Sequence, residues 1–358
     1  MRWLRLLLPS LLLASGCFGE FSWEGRAADV AVERLCDQAA DPDAAPDTTF
    51  IRCRVEGDSF APAELPARRE IVVASYNVLR GFQTDAQLAY FRNEPGVPVP
   101  DVLLLSEVDR GCRRTAFRNI AREWAEALGY HYVYATEFVE LPGNRGLTGP
   151  YDPPLCEHGN AIVARWPLGN VRAIRHAANW SWYTPPGFAN PDEPRLGGRI
   201  AVAADMRVGD RLVRLYSLHL ESTLSAAGLR DAQAVEIAED ADGVPWPVIV
   251  GGDLNSFGAL FTLFVSGSAL DGPTRPFFER GYSDAHAGFP PDLRPTTFDP
   301  GALLLDFVLV RGAGVRDAGR CPRARCEPLS DHLPIWATVV LPEGPGIPDA
   351  WRADGPLP

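Results

Sequence analysis

The stretch PVIVGGDLNSF, residues 247–257, decides the fold of this chain. Its apolar run from Val248 to Val250 has the composition of a strand that is covered on both faces. Asp253 and Asn255 follow, one residue apart, so their side chains face the same way if the backbone stays extended. A carboxylate beside a buried strand is costly unless it is hydrogen-bonded, paired or bound to a metal. The stretch therefore predicts a buried strand that ends in a polar site.

Eight other stretches have the same strand composition, and helical segments lie between them. The stretches are EIVVASYNVL (70–79), DVLLLSEV (101–108), YHYVYATEF (130–138), NAIVARW (160–166), RIAVAADMRV (199–208), RLVRLYSLHL (211–220), DFVLV (306–310) and LPIWATVVL (333–341). The spacing of apolar residues predicts helices within 84–96, 115–129 and 222–243. This interleaving indicates an α/β body with mixed sheets packed face to face.

Polar residues recur where these apolar runs end or are interrupted. They are Asn77, Glu107, His219, Asp253, Asn255, Asp306 and the pair Asp331–His332. Each has an ordinary explanation when it is taken alone, such as a turn residue, a surface carboxylate or a satisfied core histidine. Asp306 is the hardest to explain in that way, because carboxylates rarely lie within apolar strands without partners. One shared site explains the whole set better than separate ordinary roles do.

The order of these motifs resembles the endonuclease/exonuclease/phosphatase superfamily, which has the deoxyribonuclease-I-like fold. The motifs are SYNVL (75–79), LLSEV (104–108), HGNAIVARWP (158–167), SLHLES (217–222), GGDLNS (251–256), LDFVLV (305–310) and LSDHLPI (329–335). The resemblance covers about residues 71–341. It implies an α/β (α+β) four-layer sandwich, in which two packed mixed β-sheets are flanked by helices. It also implies the hydrolysis of a phosphoester with Mg²⁺ or Mn²⁺ at one end of the sandwich.

The resemblance also implies roles for the metal-binding and water-binding residues. Glu107 would be the principal metal ligand, with Asn77 beside it and Asp331 completing the metal environment. Oxygen donors of this kind suit Mg²⁺, which keeps several waters and binds substrate phosphate oxygens. Asp253 and Asn255 would position or activate the attacking water.

The remaining roles concern the histidines and the substrate. His332 would be a general base or a phosphate stabiliser, oriented by Asp306, and His219 would donate to the phosphate or to the leaving-group oxygen. Which histidine is the base and which is the acid is left open. Asn160 and Arg199 are the candidate substrate-binding residues, and a surface arginine is an equally good interpretation of Arg199.

The composition limits the classes of partner. The chain has 358 residues, of which 46% are hydrophobic, and its formal net charge is -12. This acidic surface disfavours a general nucleic-acid binder, whose affinity comes largely from basic side chains that neutralise phosphates. We expect a monomer that acts on a small phosphoester, a nucleotide or a lipid headgroup.

The N-terminus, MRWLRLLLPSLLLASGC, has the pattern of an export signal of the bacterial lipoprotein type. Residues 1–16 would be the signal peptide and Cys17 the lipidated residue, although ordinary cleavage nearby is the alternative. We expect an exported, membrane-anchored lipoprotein that faces the periplasm or the cell surface. Residues 17–66 would be a tether with a disulfide-closed loop, 67–342 the catalytic domain, and 343–358 a Pro/Gly-rich tail.

The cysteine count agrees with export. If Cys17 of the seven cysteines carries lipid, six remain, an even number as expected for disulfides in an oxidising compartment. Six cysteines allow fifteen pairings. Proximity in the sequence favours the pairs Cys36–Cys53 and Cys321–Cys326, which leaves Cys112–Cys156. A zinc site is the weaker alternative, because the sequence has no Cys-x-x-Cys spacing.

The sequence supports one function and leaves others open. The first hypothesis is an exported metal-dependent phosphodiesterase or phosphatase. A nuclease or a sphingomyelinase-like lipid phosphodiesterase is the alternative within the same chemistry. A surface-anchored binding protein with a degenerate site on the same fold is the alternative outside it. Trp180, Trp182 and Tyr183 lie in a long Pro/Gly-rich stretch and are candidates for substrate or interface contacts.

Overall fold

The apolar runs build two β-sheets in the computed structural model, which describes residues 55–140, 156–180, 195–297 and 302–343. The strands in these ranges are β1 (Glu56–Ser59), β2 (Glu70–Arg80), β3 (Val102–Arg110), β4 (His131–Glu140), β5 (Cys156–Ala164), β6 (Leu168–Arg175), β7 (Arg195–Gly197), β8 (Ile200–Val208), β9 (Arg211–His219), β10 (Val248–Asp253), β11 (Ser283–Asp284), β12 (Asp306–Arg311), β13 (Gly314–Arg320) and β14 (Ile335–Val340). The α-helices are α1 (Thr84–Asn93), α2 (Ile120–Leu128), α3 (Ala227–Asp240), α4 (Ala259–Ser266), α5 (Arg275–Glu279) and α6 (Arg323–Cys326).

Both sheets are mixed. The first has the order β1-β4-β5-β3-β2-β14-β13, with β7 paired to β4, and the second has the order β11-β12-β10-β9-β8-β6. The pairs β2–β3 and β9–β10 are parallel, and the other pairs are antiparallel. A parallel pair needs a crossover connection, and helices α1 and α3 lie in these two crossovers.

The core lies between the sheets because each strand alternates its side chains between two faces. Val73 and Leu104 of the first sheet pack with Val202, Leu215 and Ile249 of the second, and all five are fully buried. Full burial of such a side chain contributes about 1.5–3 kcal/mol.

The helices cover the outer faces. Phe91 of α1 and Trp124 of α2 pack edge to face on the first sheet, with ring centroids 6.1 Å apart. Ile237 of α3 packs on the second sheet with Ala259 of α4 and Phe277 of α5. The arrangement is helix, sheet, sheet, helix, so the predicted four-layer sandwich is confirmed.

Helix α2 is shorter than its apolar spacing predicts. The helical pattern covers 115–129, but the helix begins at Ile120, because the Asn119 side chain caps it by accepting from Arg122 N at 3.2 Å. Ala116 lies in the left-handed region with φ 54° and separates a short 3₁₀ turn from the helix. Gly129, with φ 68°, ends the helix as the sequence indicates.

The folded body begins earlier in the chain than predicted. Strand β1 lies inside residues 17–66, the predicted tether, and it pairs with β4 in the register Glu56–Tyr134 to Ser59–His131. The Trp166 indole also donates to the Pro66 carbonyl at 3.3 Å. The sequence of β1, EGDS, has no apolar alternation, so only its partner strand makes it a strand.

Two disulfides lie within the described ranges, Cys112–Cys156 and Cys321–Cys326. They are the two pairs favoured above for these four cysteines. The predicted signal peptide, Cys17, the pair Cys36–Cys53 and the tail from residue 344 lie outside the described residues. Among the helices of the described ranges, none combines the length and the apolar character that crossing a membrane requires.

The sheet topology brings the polar strand ends together. The carboxyl ends of the parallel strands β9 and β10 place His219 opposite Asp253, and antiparallel β12 starts with Asp306 opposite Asp253. In the facing sheet, β2 and β3 carry Asn77 and Glu107 near their carboxyl ends. Strand β14 begins beside Ser75 of β2, so the turn before it reaches the same end.

Candidate active site

One carboxylate oxygen is the centre of the site. Oδ2 of Asp253 accepts from Asn77 Nδ2 at 3.2 Å. The same atom lies 3.6 Å from His219 Nε2 and 3.6 Å from His332 Nε2. These contacts join two strands of the second sheet with a strand and a turn of the first. Side chains from four separate parts of the sequence therefore meet at one atom.

Glu107 extends this set toward solvent. Its Oε1 accepts from Asn77 Nδ2 at 3.3 Å, and its Oε2 accepts from Arg80 Nη1 at 3.3 Å. Burial raises the pKa of Glu107, but the charges of Arg80 and the nearby histidines outweigh burial and hold the pKa well below its usual range. The side chain keeps 20% exposure. Glu107 thus favours its ionised form and remains partly exposed to solvent.

The backbone of the site is strained. Among the described residues, seven residues other than glycine have positive φ, and four of them are Leu79, Arg80, Glu107 and Asn255. The strand register shifts at Glu107, between Leu105 and Val108, so the carboxylate lies on a bulge that turns it out of the β3 ladder. Such conformations cost about 1–3 kcal/mol each and persist where the surrounding structure enforces them. Here they aim polar side chains at one end of the sandwich.

Gly252 allows β10 to approach β9 just before Asp253. Its φ is 147°, and a Cβ added there would lie 1.9 Å from the Leu218 carbonyl oxygen. Only glycine fits this conformation and this contact. The glycine in the quoted stretch therefore sets the position of the Asp253 carboxylate.

His332 is held by a carboxylate behind its ring. Its Nδ1 lies 2.7 Å from Asp306 Oδ2, and its backbone N–H donates to Ser330 Oγ at 3.2 Å. Ser330 in turn donates to the Asn77 carbonyl at 2.8 Å, which ties the turn to β2. Burial lowers the pKa of His332, but Asp306 and Asp253 raise it more, so the pKa lies well above its usual range. The carboxylates around the ring therefore favour the protonated form of His332.

His219 is held by a cation instead. Arg199 Nη1 lies 2.9 Å from His219 Nδ1, and because a guanidinium only donates, this ring nitrogen must be the acceptor. The ring proton is therefore on Nε2, which faces Asp253. Burial and the Arg199 charge lower the pKa of His219 well below its usual range. His219 is a neutral Nε2–H donor.

Arg199 is itself fixed by buried partners. It pairs with Glu137 and donates to Ser222 Oγ at 2.8 Å. Burial raises the pKa of Glu137 to about 7, against the lowering effect of Arg199. The candidate substrate-binding arginine thus contacts His219 and is 2% exposed.

Two further carboxyls carry perturbed pKa values. Burial raises the pKa of Asp253 to about 7, although His332 lowers it. Burial also raises the pKa of Asp331, again against His332. An acid with a pKa near neutrality suits proton transfer at neutral pH.

The structure presents two groups of possible metal ligands. Asp253, Asp306 and His332 each offer one ligand atom, all within 4.8 Å of one another. However, Asp306 and His332 are already hydrogen-bonded to each other through Oδ2 and Nδ1. The second group is the Glu107 carboxylate and the Asp331 carboxyl, whose pKa the Glu107 charge helps to raise; both offer hard oxygen donors that fit Mg²⁺ or Mn²⁺. We favour this second group, the predicted one.

Asn77 takes part in the site as a donor. Its Nδ2 faces Glu107 and Asp253, while its Oδ1, the atom that a magnesium ion would bind, accepts from Leu79 N at 3.1 Å. The amide therefore bridges two carboxylates that would otherwise repel each other. Its role as a metal ligand stays a prediction.

Asn255 and Asn160, two other predicted site residues, make hydrogen bonds with backbone groups near the site. Asn255 N donates to Asp253 Oδ1 at 2.9 Å, and its side chain donates to the Leu220 carbonyl at 2.9 Å. The Asn160 side chain donates to the Ile200 carbonyl at 3.0 Å, and its buried Oδ1 has no hydrogen-bond partner among the described residues. Asn255 thus fixes Asp253, and Asn160 lies beside the segment that carries Arg199.

The sequence analysis did not identify a second histidine–carboxylate pair at this end. His158 Nδ1 lies 2.9 Å from Asp109 Oδ1, and Arg114 binds the Asp109 carboxylate with two hydrogen bonds of 2.6 and 2.7 Å. Asp109 comes two residues after Glu107 in LLSEVDR, and His158 opens the HGNAIVARWP motif. The spacing of two residues between Glu107 and Asp109 was the available signal in the sequence. Only the pairing of β3 with β5 brings Asp109 and His158 together.

A cavity of about 300 Å³ lies at the other end of the sandwich, where β9 and β10 begin and β12 ends. Arg211 and Trp246 line it, and they are engaged with the Pro342 carbonyl and with Asp205 Oδ1. None of the described residues that line this cavity is a histidine. The polar strand ends are therefore the candidate site.

Comparison with known proteins agrees with this geometry. The sequence model of the endonuclease/exonuclease/phosphatase family matches residues 74–332, a range that contains all the residues of the cluster around Asp253. No curated protein matches this chain.

Solved structures share the fold. An endonuclease/exonuclease/phosphatase protein from Beutenbergia cavernae is 19% identical, with a TM-score of 0.55, and the match covers 76% of this chain and 72% of that one. The human Nocturnin catalytic domain, solved with a bound sulfate anion, is 18% identical, with a TM-score of 0.53, and the match covers 78% of this chain and 97% of that domain. At these identities the likeness shows the fold alone.

Proposed function

The chain belongs to the endonuclease/exonuclease/phosphatase family, and from this premise we propose that it is an exported hydrolase of phosphoesters that requires Mg²⁺ or Mn²⁺. The observation that carries the proposal is the shared oxygen of Asp253. A carboxyl with a pKa of about 7 lies between two histidines, one with a lowered and one with a raised pKa, beside the partly exposed Glu107. Such a set provides a proton acceptor together with donors for a phosphoryl group.

The metal would be held by Glu107 and Asp331, with Asn77 beside them. When bound, a divalent cation would neutralise charge on the phosphoryl oxygens. Glu107 suits this role because its carboxyl stays ionised and a fifth of its side chain is exposed. Arg80 would orient the carboxylate through its bond to Oε2.

Asp253 is the proposed base for the attacking water. As the water oxygen bonds to phosphorus and the phosphorus–leaving-group bond breaks, the water proton passes to the Asp253 carboxylate. Asn255 N and Asn77 Nδ2 fix the two oxygens of that carboxylate at 2.9 and 3.2 Å. This fixed geometry removes a large part of the cost of orienting the base.

The histidines would stabilise the reacting phosphate. His332 is the proposed partner of the phosphoryl oxygens, because the Asp306 carboxylate behind its ring favours the charged imidazolium. His219 would donate its Nε2–H to the phosphoryl or leaving-group oxygen. Neither donor must rearrange during the reaction, which is how fixed groups lower the barrier.

The degenerate binding protein is the weaker candidate. Buried ionisable groups and a strained backbone destabilise a fold, and four of the seven described non-glycine residues with positive φ lie at or beside the cluster around Asp253. A binding protein would not need an acid with a near-neutral pKa between two histidines whose pKa values are shifted in opposite directions.

Activity on a simple diester tests the proposal. We expect the purified protein to hydrolyse bis(p-nitrophenyl) phosphate with Mg²⁺ or Mn²⁺, and a chelator should stop turnover. Glu107→Gln and His332→Gln should each lower kcat/KM by about 10²–10⁴-fold. His131→Gln is the matched control, because His131 lies at the start of β4 and outside the site. Unchanged turnover in both site variants would overturn the assignment.

Export and anchoring are proposed from the leader sequence and from the two disulfides. Replacing Cys17 by Ser should release the protein from membranes on cell fractionation. Continued anchoring of that variant would refute the lipoprotein assignment.

The proposed substrates are small diesters, nucleotides or lipid headgroups. A nuclease activity would appear as hydrolysis of DNA or RNA when these substrates are tested under the same conditions.

A further inference from the structure

An uncharged stretch of 17 residues, 254–270, follows the central carboxylate directly. It lies between Asp253 and Asp271 and contains helix α4, whose sequence is ALFTLFVS. Ala259 and Leu263 bury one face of this helix against the second sheet. The stretch is therefore anchored to the fold next to the site.

The opposite face of α4 is apolar and exposed. Phe261, Phe264 and Val265 are 71%, 62% and 70% exposed. Their spacing of three and four residues places them on one face, so they form a continuous ridge, which we call the α4 ridge. The neighbouring turn Pro291–Leu293 contacts α4, and Leu293 adds a side chain that is 45% exposed. Contiguous apolar surface of this kind marks an interaction site.

Size and shape indicate the class of partner. At about 150–250 Å² for an aromatic side chain, the three ridge residues expose roughly 400 Å² in all. A stable dimer needs about 800 Å² per partner. A single convex helix is also a poor complement to a second copy of itself. Three apolar side chains on one helix face suit insertion into the interface of a lipid bilayer.

Charge narrows the partner further. Residues 254–270 carry no charge, the neighbouring turn carries only the acidic Asp292, and the chain as a whole has a net charge of -12. Attraction to anionic lipids is therefore excluded as the driving force, and burial of apolar area remains.

The sequence places the domain within reach of a membrane. The predicted lipid-bearing Cys17 precedes Val55, where the described fold begins, by 38 residues. At about 3.3–3.6 Å per residue, a chain of this length spans at most roughly 130 Å. The domain can therefore turn any face toward the bilayer that holds the anchor.

We propose that the α4 ridge inserts into the headgroup and acyl boundary of a zwitterionic lipid bilayer, which holds the Asp253 end of the sandwich against the membrane surface. The ridge is a second contact, separate from the lipid anchor. It does not depend on catalysis, since none of its residues belongs to the cluster around Asp253.

Vesicle binding without the anchor tests the proposal. The chain from residue 17 carrying Cys17→Ser retains all the described residues and lacks both the leader and the lipid. We expect it to sediment with phosphatidylcholine vesicles, equally at low and high salt, and less with vesicles that contain phosphatidylserine. Phe261→Ser/Phe264→Ser in this background should lower the vesicle partition coefficient at least tenfold.

The matched control is Phe117→Ser, which removes a phenyl ring that is 56% exposed in the segment before α2, on the first sheet's side. It should bind vesicles like the parent chain. All variants should keep the parent thermal midpoint and the parent turnover of bis(p-nitrophenyl) phosphate, so failure of the ridge and failure of the proposed catalysis are separable. No vesicle binding by the parent, or equal binding by the double variant, would overturn the proposal. So would a dimer in sedimentation equilibrium that the double variant abolishes, because the partner would then be a second copy.

Discussion

His332 and His219 face the same atom and have opposite electrostatic environments. Each places Nε2 3.6 Å from Asp253 Oδ2. Behind His332, Nδ1 meets the Asp306 carboxylate at 2.7 Å, and behind His219, Nδ1 meets the Arg199 guanidinium at 2.9 Å. Burial lowers the pKa of both histidines; Asp306 and Asp253 outweigh burial at His332, whereas the Arg199 charge adds to it at His219. The opposite charges behind the two rings thus contribute to the opposite directions of their pKa shifts.

The difference also assigns the ring protons. His332 donates from Nδ1 to a carboxylate, whereas His219 accepts at Nδ1 and keeps its proton on Nε2. One histidine can therefore present a positive charge to a phosphate, and the other can present only a neutral donor. Three sets of variants test this comparison. They change either the group behind a histidine ring or the ring itself.

Asp306→Asn should have the largest effect. The amide preserves the shape of the carboxyl but removes its charge, so kcat/KM should fall by about 10²–10⁴-fold. Asp306 raises the pKa of His332 and also that of Asp253, so removing its charge lowers both values. In a pH profile at saturating metal, the acid limb reports the loss of the Asp253 proton, and the basic limb reports the loss of the His332 proton.

The wild-type acid limb should have its midpoint at or below about 7, because a bound cation lowers the Asp253 value further. In Asp306→Asn both limbs should move to lower pH. If activity falls while both midpoints stay unchanged, Asp306 orients the His332 ring but its charge does not set the two pKa values.

Removal of His219 should have a smaller effect. His219→Ala deletes a neutral donor, for which a loss of about 10²-fold is expected. His219→Gln retains an N–H donor and should recover most of that loss. The pH profile should keep the wild-type midpoints in both variants, since His219 does not titrate near neutrality. A loss of the basic limb in His219→Ala would reverse the roles of the two histidines.

The smallest effect on activity is expected from Glu137→Gln/Arg199→Gln. The double change removes the buried Glu137–Arg199 pair together, and Glu221, 3.8 Å from Arg199 Nε, keeps its hydrogen bonds from two backbone N–H groups. Because Arg199 lowers the pKa of His219, that pKa should rise, and NMR titration of the ring protons measures it. Activity should change by only a few-fold, through a partly protonated His219. An unchanged His219 titration would show that burial alone keeps this ring neutral.

The order of polar strand ends made much of the site predictable. Asn77, Glu107, Asp253 and Asp306 each stand against an apolar run where a polar group is costly, and the structure brings them to one end of the sandwich. The interleaving of strand and helix stretches indicated packed mixed sheets, and the family resemblance implied that there are two, flanked by helices.

Other features left no such mark. Strand β1 is polar, and it exists because β4 presents a free edge to it. The pairing of His158 with Asp109 and that of Arg199 with His219 join strands that are far apart in sequence. Local composition contains no information on such pairs. The chain has 34 basic residues, and nothing in the sequence distinguishes a buried arginine such as Arg199 from one at the surface.

By itself the sequence determined the fold class and the polar side chains that gather at one end of the sandwich, because apolar periodicity and costly polar interruptions are local properties of the chain. Only the tertiary structure decided which histidine carries the charge. A pKa is set by the few groups within hydrogen-bonding distance and by the water that burial removes, and both depend on the packing of strands that the sequence keeps apart.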